Sequence, residues 1–419
     1  MVIASFIALL LIGLPIALVL AVSALVYIVA SGETVLFQSY SQQLFSGIES
    51  YGLLAVPLFM LAGELMNEGG ITKRLVDLAS VFMGRVRGGL AYINLIVNMM
   101  MASIIGSAAA QIAIMSRAMV PEMEKQGYDK SLAAATTAAG GLLSPIIPPS
   151  MLFVIYGVLA QVAIGDMFIA GIIPGILMAT GFFIALAIIG HFNPLPMSDK
   201  QSVQEKKQAL KFGLPTLIIP LVIVGGILAG IATPTESAAV ASVAVFILGK
   251  FLYQELKMSR IPQVLYRTAI NTSVVVFIVA TAKVFGWIIV YEKVPQALAH
   301  QLVTLTENPF VFLLLVNVTL LFVGMILDGI AALILVVPII LPIAQSQYGI
   351  DPFHFGVVVC INLVLGLLTP PVGAGLFITT AMTGVKPGDL FRSLLPFLAA
   401  TVVVLILLSW KPWLVTALI

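Results

Sequence analysis

Ser144-Pro145-Ile146-Ile147-Pro148-Pro149-Ser150 interrupts one long apolar stretch of this chain, and Thr369-Pro370-Pro371-Val372-Gly373-Ala374-Gly375 interrupts another. Neither segment can continue a helix, because each proline lacks an N–H and clashes with a preceding carbonyl. The surroundings are lipid-like: 61% of the 419 residues are hydrophobic, against 20 Lys and Arg and 18 Asp and Glu. A soluble chain of this length carries roughly a hundred charges. At ~20 apolar residues per span, the composition supplies around nine to twelve membrane crossings. It excludes a soluble enzyme, a disordered protein and a nucleic-acid binder. Non-helical backbone at membrane depth persists only where it is buried in protein or lines a cavity. The two breaks therefore mark where this all-α polytopic membrane protein keeps its function.

Each break belongs to a larger pattern. GLLSP at 141–145 recurs as GLLTP at 366–370, and Gly165-Asp166-Met167-Phe168 recurs as Gly388-Asp389-Leu390-Phe391. Gly127-Tyr128-Asp129 matches Gly349-Ile350-Asp351, and Asn98 matches Asn317. Ahead of each break lies an apolar region with a small-residue centre: 88–121, with ASIIGSAAA at 102–110, and 308–344, with GMILDGIAA at 324–332. Each reads as a re-entrant helical hairpin, two short single spans per region being the alternative. The order span, hairpin, Gly-x-Asp turn, broken span (130–164 and 352–383) is common to both copies. Chance recurrence among 35 Gly and 23 Pro is the competing explanation, which the matched order argues against. The predicted organisation is a first repeat over 1–190, a linker and connecting span over 191–232, and a second repeat over 233–419. One connecting crossing inverts the second copy, and inverted repeats meeting at interrupted helices are a transporter architecture.

Charge placement supplies the topology. Lys73, Arg74, Arg85 and Arg87 lie in 69–88, Lys200, Lys206, Lys207 and Lys211 in 191–211, and Lys250, Lys257, Arg260 and Arg267 in 250–267. Basic loops stay inside. Segment 31–50, with Glu33 and Glu49 and no base, is predicted outside. Residues 3–30 have no charge and read as one crossing kinked at Pro15, not as a signal peptide. Further spans near 51–68, 130–164, 167–190, 212–232, 235–252, 268–291, 352–383 and 388–411 make nine crossings. The N-terminus is then cytoplasmic and the C-terminus outside.

The freed carbonyls and Ser/Thr hydroxyls at a break suit a hard cation such as sodium, and the exposed N–H groups at the restarted helix suit an anion. Pairing each hairpin with its break gives two sodium sites. The first comprises Ser103, Gly106, Ser107, Gly140, Ser144 and Pro145; the second comprises Gly324, Asp328, Gly366, Thr369, Pro370 and Gly373. Ser103, Ser144, Ser150, Thr369 and Lys283 are candidates for the substrate. A Pro kink used only for packing is the bland alternative. Four charges fall in apolar segments, Glu64, Glu236, Lys283 and Asp328, each costing ~2.5–3.5 kcal/mol at mid-depth and so needing a partner or a task. Asp328, at the second tip, is the best sodium carboxylate. Glu64 and Lys283 occupy equivalent places at an offset of 219. Either they pair, or Lys283 attracts an anion while Glu64 serves a gate. Glu236, following Thr233-Pro234-Thr235, reads first as a helix cap.

IGSAAAQIAIMSRAMVPEM, GYDKSLAAATTAAGGLLSPIIPPS, GIATPTESAAV, GMILDGIAALILVVPIILPIA and LGLLTPPVGAGLF resemble the large membrane (M, or DctM) subunit of the TRAP transporters over nearly the whole chain. The resemblance implies sodium-driven import of an organic anion by an elevator-type motion in a bacterial inner membrane. It also implies a separate small four-helix membrane subunit and a periplasmic substrate-binding protein. The family's functional positions map onto Ser103, Ser107, Ser144, Ser150, Asp328 and Thr369.

Other classes fit less well. There is no GxxxxGK[ST] phosphate loop, so transport is not driven by this chain's own ATPase. One cysteine and three scattered histidines offer neither a disulfide framework nor a zinc site, and no organic cofactor is expected. An intramembrane protease needs a Ser/His pair or two facing Asp, and only Asp328 lies deep. A passive anion channel and a one-component sodium/carboxylate symporter remain as alternatives. The substrate is a carboxylate-bearing acid, with sialic acid-type sugar acids and C4-dicarboxylates the leading classes.

Overall fold

The computed structural model describes residues 2–33, 35–82, 87–197 and 202–419, and the charged residues Arg85 and Lys200 lie outside them. Among the described residues the structure is helical, with one isolated β-bridge between Arg87 and Met197. Among those residues seven helices are long and apolar enough to cross a membrane, eight spans if one bent pair is counted. The chain is a multi-pass membrane protein.

In chain order the first half comprises α1 (Val2–Leu11), α2 (Ile16–Ser31), α3 (Leu36–Ile48), α4 (Ala55–Glu68), α5 (Ile71–Phe82), α6 (Gly89–Ile105), α7 (Ala108–Lys125), α8 (Lys130–Gly141), α9 (Met151–Ala160) and α10 (Ile164–Phe192). The connecting helix α11 spans Val203–Leu228 and α12 spans Pro234–Leu252. The second half continues with α13 (Ile261–Tyr291), α14 (Val294–Leu305), α15 (Pro309–Ile326), α16 (Gly329–Tyr348), α17 (Pro352–Leu367), α18 (Ala374–Thr383) and α19 (Pro387–Trp410).

The two halves share an element order. Ile71 and Val294, Met151 and Ala374, and Ile164 and Pro387 begin corresponding helices, and each pair is 223 residues apart. Local chemistry fixes the boundaries. Asp129 Oδ1 accepts from the Leu132 N–H at 2.9 Å to start α8, and Asp351 Oδ1 accepts from the Phe353 and His354 N–H groups to start α17. The glycine two residues before each Asp, Gly127 and Gly349, takes a positive φ that a side chain would resist. At the head of α12, Glu236 Oε2 accepts from the Thr233 N–H at 2.8 Å while Thr233 Oγ accepts from the Glu236 N–H, a capping box.

Packing sorts the helices into two groups. Helix α13 lies against α2, α3 and α4, and α4 also against α12. In the other group α8 touches α6, α7 and α19, α18 touches α7, and α17 touches α15, α16 and α19. Thus each half's broken helix is clamped by elements of the other half. Helix α8 is buried continuously from Ala133 to Gly141, and small residues let its neighbours close in.

Several expectations are corrected. Residues 3–30 do not form one kinked crossing: the chain breaks at 12–15, around Gly13 and Pro15, and α1 folds against α2. Within segment 31–50 the uncharged run 36–48 is helical: it forms α3, which meets the 51–68 helix at 51°. The 191–211 linker is helical from Val203, where Ser202 and Glu205 form a capping box, and runs into the connecting span without a boundary. The broken helices 130–164 and 352–383 consist of pieces each too short to count as a span, whereas α15 and α16 are each long enough by themselves. By length and composition alone, seven or eight spans are found among the described residues, a set that includes α15 and α16 but neither broken helix.

Candidate functional site

The hairpins turn where capping side chains stop one helix and start the next. In the first, Gly106 adopts φ +64° and Ser107 Oγ accepts from the Ala110 N–H at 3.5 Å. In the second, Asp328 Oδ2 accepts from the Ile330 N–H at 3.1 Å, placing a carboxylate at the positive end of α16. Backbone then ties each tip to its own broken helix. The Met151 N–H donates to the Gly106 carbonyl at 3.4 Å, and the Gly373 N–H donates to the Met325 carbonyl at 3.0 Å. Gly366 lies so close to Gly324 that a Cβ on Gly366 would sit 2.5 Å from the Gly324 carbonyl carbon. A side chain at 366 would not permit that approach.

Both tips open onto one cavity of about 490 Å³. Gly106, Ser107 and Pro145 line it from the first half, and Asp328, Gly329 and Leu363 from the second. Its opposite wall is made by Met60, Gly63, Glu64 and Asn67 of α4 and by Asn271 and Val275 of α13. Among the described residues no lysine or arginine lines it, and the nearby Arg267 guanidinium pairs with Glu64 at 3.8 Å and Glu68 at 3.5 Å.

Buried amides brace the hairpins. Asn94 Nδ2 donates to Thr137 Oγ1 at 2.7 Å, Asn98 Nδ2 to Asn94 Oδ1 at 2.9 Å, and Gln111 Nε2 to Asn98 Oδ1 at 2.8 Å. In the second half Asn362 Nδ2 donates to Asn317 Oδ1 at 3.0 Å, and Asn317 Nδ2 to Ser409 Oγ at 2.9 Å. Two acceptors near the first break have no partner among the described residues: Ser144 Oγ, wholly buried, and Gln111 Oε1, whose own amide nitrogen lies 3.5 Å from the Gly140 carbonyl. Orphaned buried oxygens carry a desolvation cost that a cation would remove.

The sequence candidates separate on this geometry. Gly106, Ser107, Pro145 and Asp328 line the cavity. Ser103 bonds back to the Met100 carbonyl, Ser150 caps α9 and donates to the Pro145 carbonyl, and Thr369 donates to the Leu365 carbonyl at 2.8 Å. Gly140 faces the Asn98 side chain, while Gly324, Gly366, Pro370 and Gly373 form the backbone seam of the second half and its break. Lys283 is not brought to the cavity; it lies in a separate crevice with Gln43 and Ser46. Nor does it pair with Glu64, which bonds Arg267 instead. Helices α4 and α13 end at Glu68 and Tyr291, 223 residues apart, whereas Glu64 and Lys283 lie 219 apart. Sequence reading missed Asn67, Asn271 and Gln111. Their one signal was an amide inside an apolar helix, which inserts less conspicuously than a charge.

Two capped hairpin tips and a helix break around one cavity, inside a multi-pass helical bundle, define a membrane transport protein rather than an enzyme. The fold is shared with the YdaH transporter of Alcanivorax borkumensis, with a TM-score of 0.68 over 92% of this chain and 89% of that one at 14% identity. Residues 3–414 match the family described as "Tripartite ATP-independent periplasmic transporter, DctM component", and the chain belongs to that family. It is 36% identical to the Vibrio cholerae sialic acid TRAP transporter large permease protein SiaM, over 96% of this chain and 93% of that protein. It is also 36% identical to the Pseudomonas aeruginosa C4-dicarboxylate TRAP transporter large permease protein DctM, over 90% and 88%. The Escherichia coli 2,3-diketo-L-gulonate TRAP transporter large permease protein YiaN is likewise 36% identical, over 96% and 94%.

Proposed function

We propose that this chain is the large membrane subunit of a sodium-coupled importer of a carboxylate-bearing organic acid, a sialic acid-type sugar acid or a C4-dicarboxylate. The observation that carries this reading is the convergence of both hairpin tips and the first break on one cavity, in a chain of this family. The two halves are inverted repeats with re-entrant hairpins. The group holding both tips slides as an elevator past the fixed wall of α4 and α13. Sodium is cargo and driving force: the orphaned Ser144 and Gln111 oxygens with the Gly140 carbonyl suit one ion, and Asp328 with the Thr369 break suits the other. Two ions entering at 100 mV supply about 4.6 kcal/mol if both charges are uncompensated, enough for a roughly thousandfold accumulation.

The chain works in the bacterial inner membrane with a small membrane subunit and a periplasmic binding protein that delivers the acid. Its basic face, with Arg74 paired to Glu255 and Arg267 to Glu68, is cytoplasmic. The test is reconstitution of the three components in proteoliposomes. Labelled sialic acid, succinate or 2,3-diketogulonate should accumulate only under an inward sodium gradient, and Asp328→Ala should abolish that uptake. Sodium-independent accumulation, or unaltered uptake by the variant, defeats the proposal.

A further inference from the structure

A second cavity, of about 290 Å³, lies on the same seam as the first. Helices α9, α13 and α16 line both cavities, and all three run in the same direction along the seam. On α9 the lining passes from Leu152 in the tip cavity to Val158 and Gln161 in the other. On α13 it passes from Val275 to Lys283, and on α16 from Ile330 to Pro338. The last two steps are eight residues each, about 12 Å of helix rise. The two cavities thus follow one another along the seam, with Val275 of α13 lining the first and Val279, one turn on, lining the second.

Their chemistries are opposite. Among the described residues the tip chamber holds two carboxylates, Glu64 and Asp328, and no lysine or arginine. The far chamber holds Lys283, with Gln43, Ser46, Ser50 and Gln161 around it and no acidic side chain among its lining residues. Lys283 makes no salt bridge among the described residues, although a lysine in an apolar helix needs a partner or a task. A carboxylate-bearing substrate has no cation to meet in the tip chamber as it stands. It has one in the far chamber.

The geometry joins these facts. Pro338 now lies beside α13 at Gly286, where a Cβ would fall 3.1 Å from the proline ring. A slide of the tip-bearing group by those eight residues brings Ile330, and with it Asp328 and Gly329, level with Lys283. We infer that the Lys283 chamber is the outward station of the transport site: the substrate carboxylate pairs with Lys283 there, and is released into the tip chamber, which has no cation to retain it. This rests on the elevator reading above and deepens it, assigning the anion-capturing cation to the fixed wall and not to the moving tips. Lys283 is thereby a binding residue for one state of the cycle only.

Two measurements test the inference. The one native thiol, Cys360, is buried, so an introduced cysteine reports alone. At Ser46→Cys an anionic methanethiosulfonate should react several-fold faster than a cationic one, and Lys283→Gln should erase the preference; at Ser107→Cys the cationic reagent should react faster. In the reconstituted complex Lys283→Gln should raise KM for the labelled acid about tenfold with kcat retained, and Lys283→Arg should restore it. Absence of charge preference at Ser46→Cys, or an unchanged KM in Lys283→Gln while the wild-type complex transports, overturns the Lys283 station. Failure of the wild-type complex to take up any of the three acids overturns the function proposed above instead.

Discussion

The two broken helices come from near-identical sequence, GLLSP and GLLTP, yet they sit in different environments. From Gly141 to Ser150 every residue but Ile147 is buried, and the Ser144 hydroxyl is sealed without a partner. In the second break Pro371 and Val372 are exposed, Thr369 is half-buried, and its hydroxyl is satisfied by Leu365. Helices α9 and α10 cover the first break, with Gly171 against the Ile146 carbonyl and Gly175 against Ile147. No such cover lies over Val372. The same local chemistry thus gives a sealed break in one half and an accessible one in the other. Where a helix breaks is a local matter; whether the break is sealed depends on what packs over it.

The sharpest way to break this comparison is at the paired glycines. Gly366→Ala drives a Cβ into the Gly324 backbone, which cannot yield as a side-chain tip can. It should cost about 1–3 kcal/mol or more and lower the melting temperature of detergent-purified protein by several degrees. Gly349→Ala, in open space, pays only for its positive φ and should shift it less. Asn98→Ala removes side-chain bonds to both Asn94 and Gln111, although Gln111 keeps the Asn98 carbonyl, and should cost about 1–3 kcal/mol; Asn362→Ala loses bonds to Asn317 alone and should cost less.

Smaller changes sharpen the contrast in function. Ser144→Ala should weaken sodium activation of uptake roughly tenfold, if its orphaned oxygen serves the ion, while barely altering stability. Thr369→Val removes a hydroxyl already bonded to backbone and should shift sodium activation less than Ser144→Ala does. Equal effects would mean that burial does not distinguish the two sites. At the bottom of the scale, Glu236→Gln touches an exposed capping box and should destabilise by under about 1 kcal/mol, read as a small loss in thermal stability with uptake kept.

Much of the site was legible in the residues. Gly106, Ser107, Pro145 and Asp328 could be singled out because proline, glycine and a lone carboxylate are chemically conspicuous in an apolar chain. The opposite wall was not legible. Asn67 and Asn271 look like tolerated amides, and nothing local says that α4 and α13 stand across from the tips. Lys283 was conspicuous, but its chamber depends on α3, α9 and α16 meeting α13, and its supposed partner Glu64 was taken by Arg267.

By itself the sequence determined that this is a multi-pass helical protein, where its two proline breaks and its Asp and Thr-Glu caps fall, and that two halves repeat one order of elements. Those properties follow from hydropathy, proline geometry and capping chemistry, which act within a few residues. Only the tertiary structure decided which break is sealed, which ionisable groups meet, and that one seam carries a carboxylate chamber and a lysine chamber. These depend on contacts between helices hundreds of residues apart in the chain, and in an apolar bundle many helix faces are interchangeable until packing selects among them.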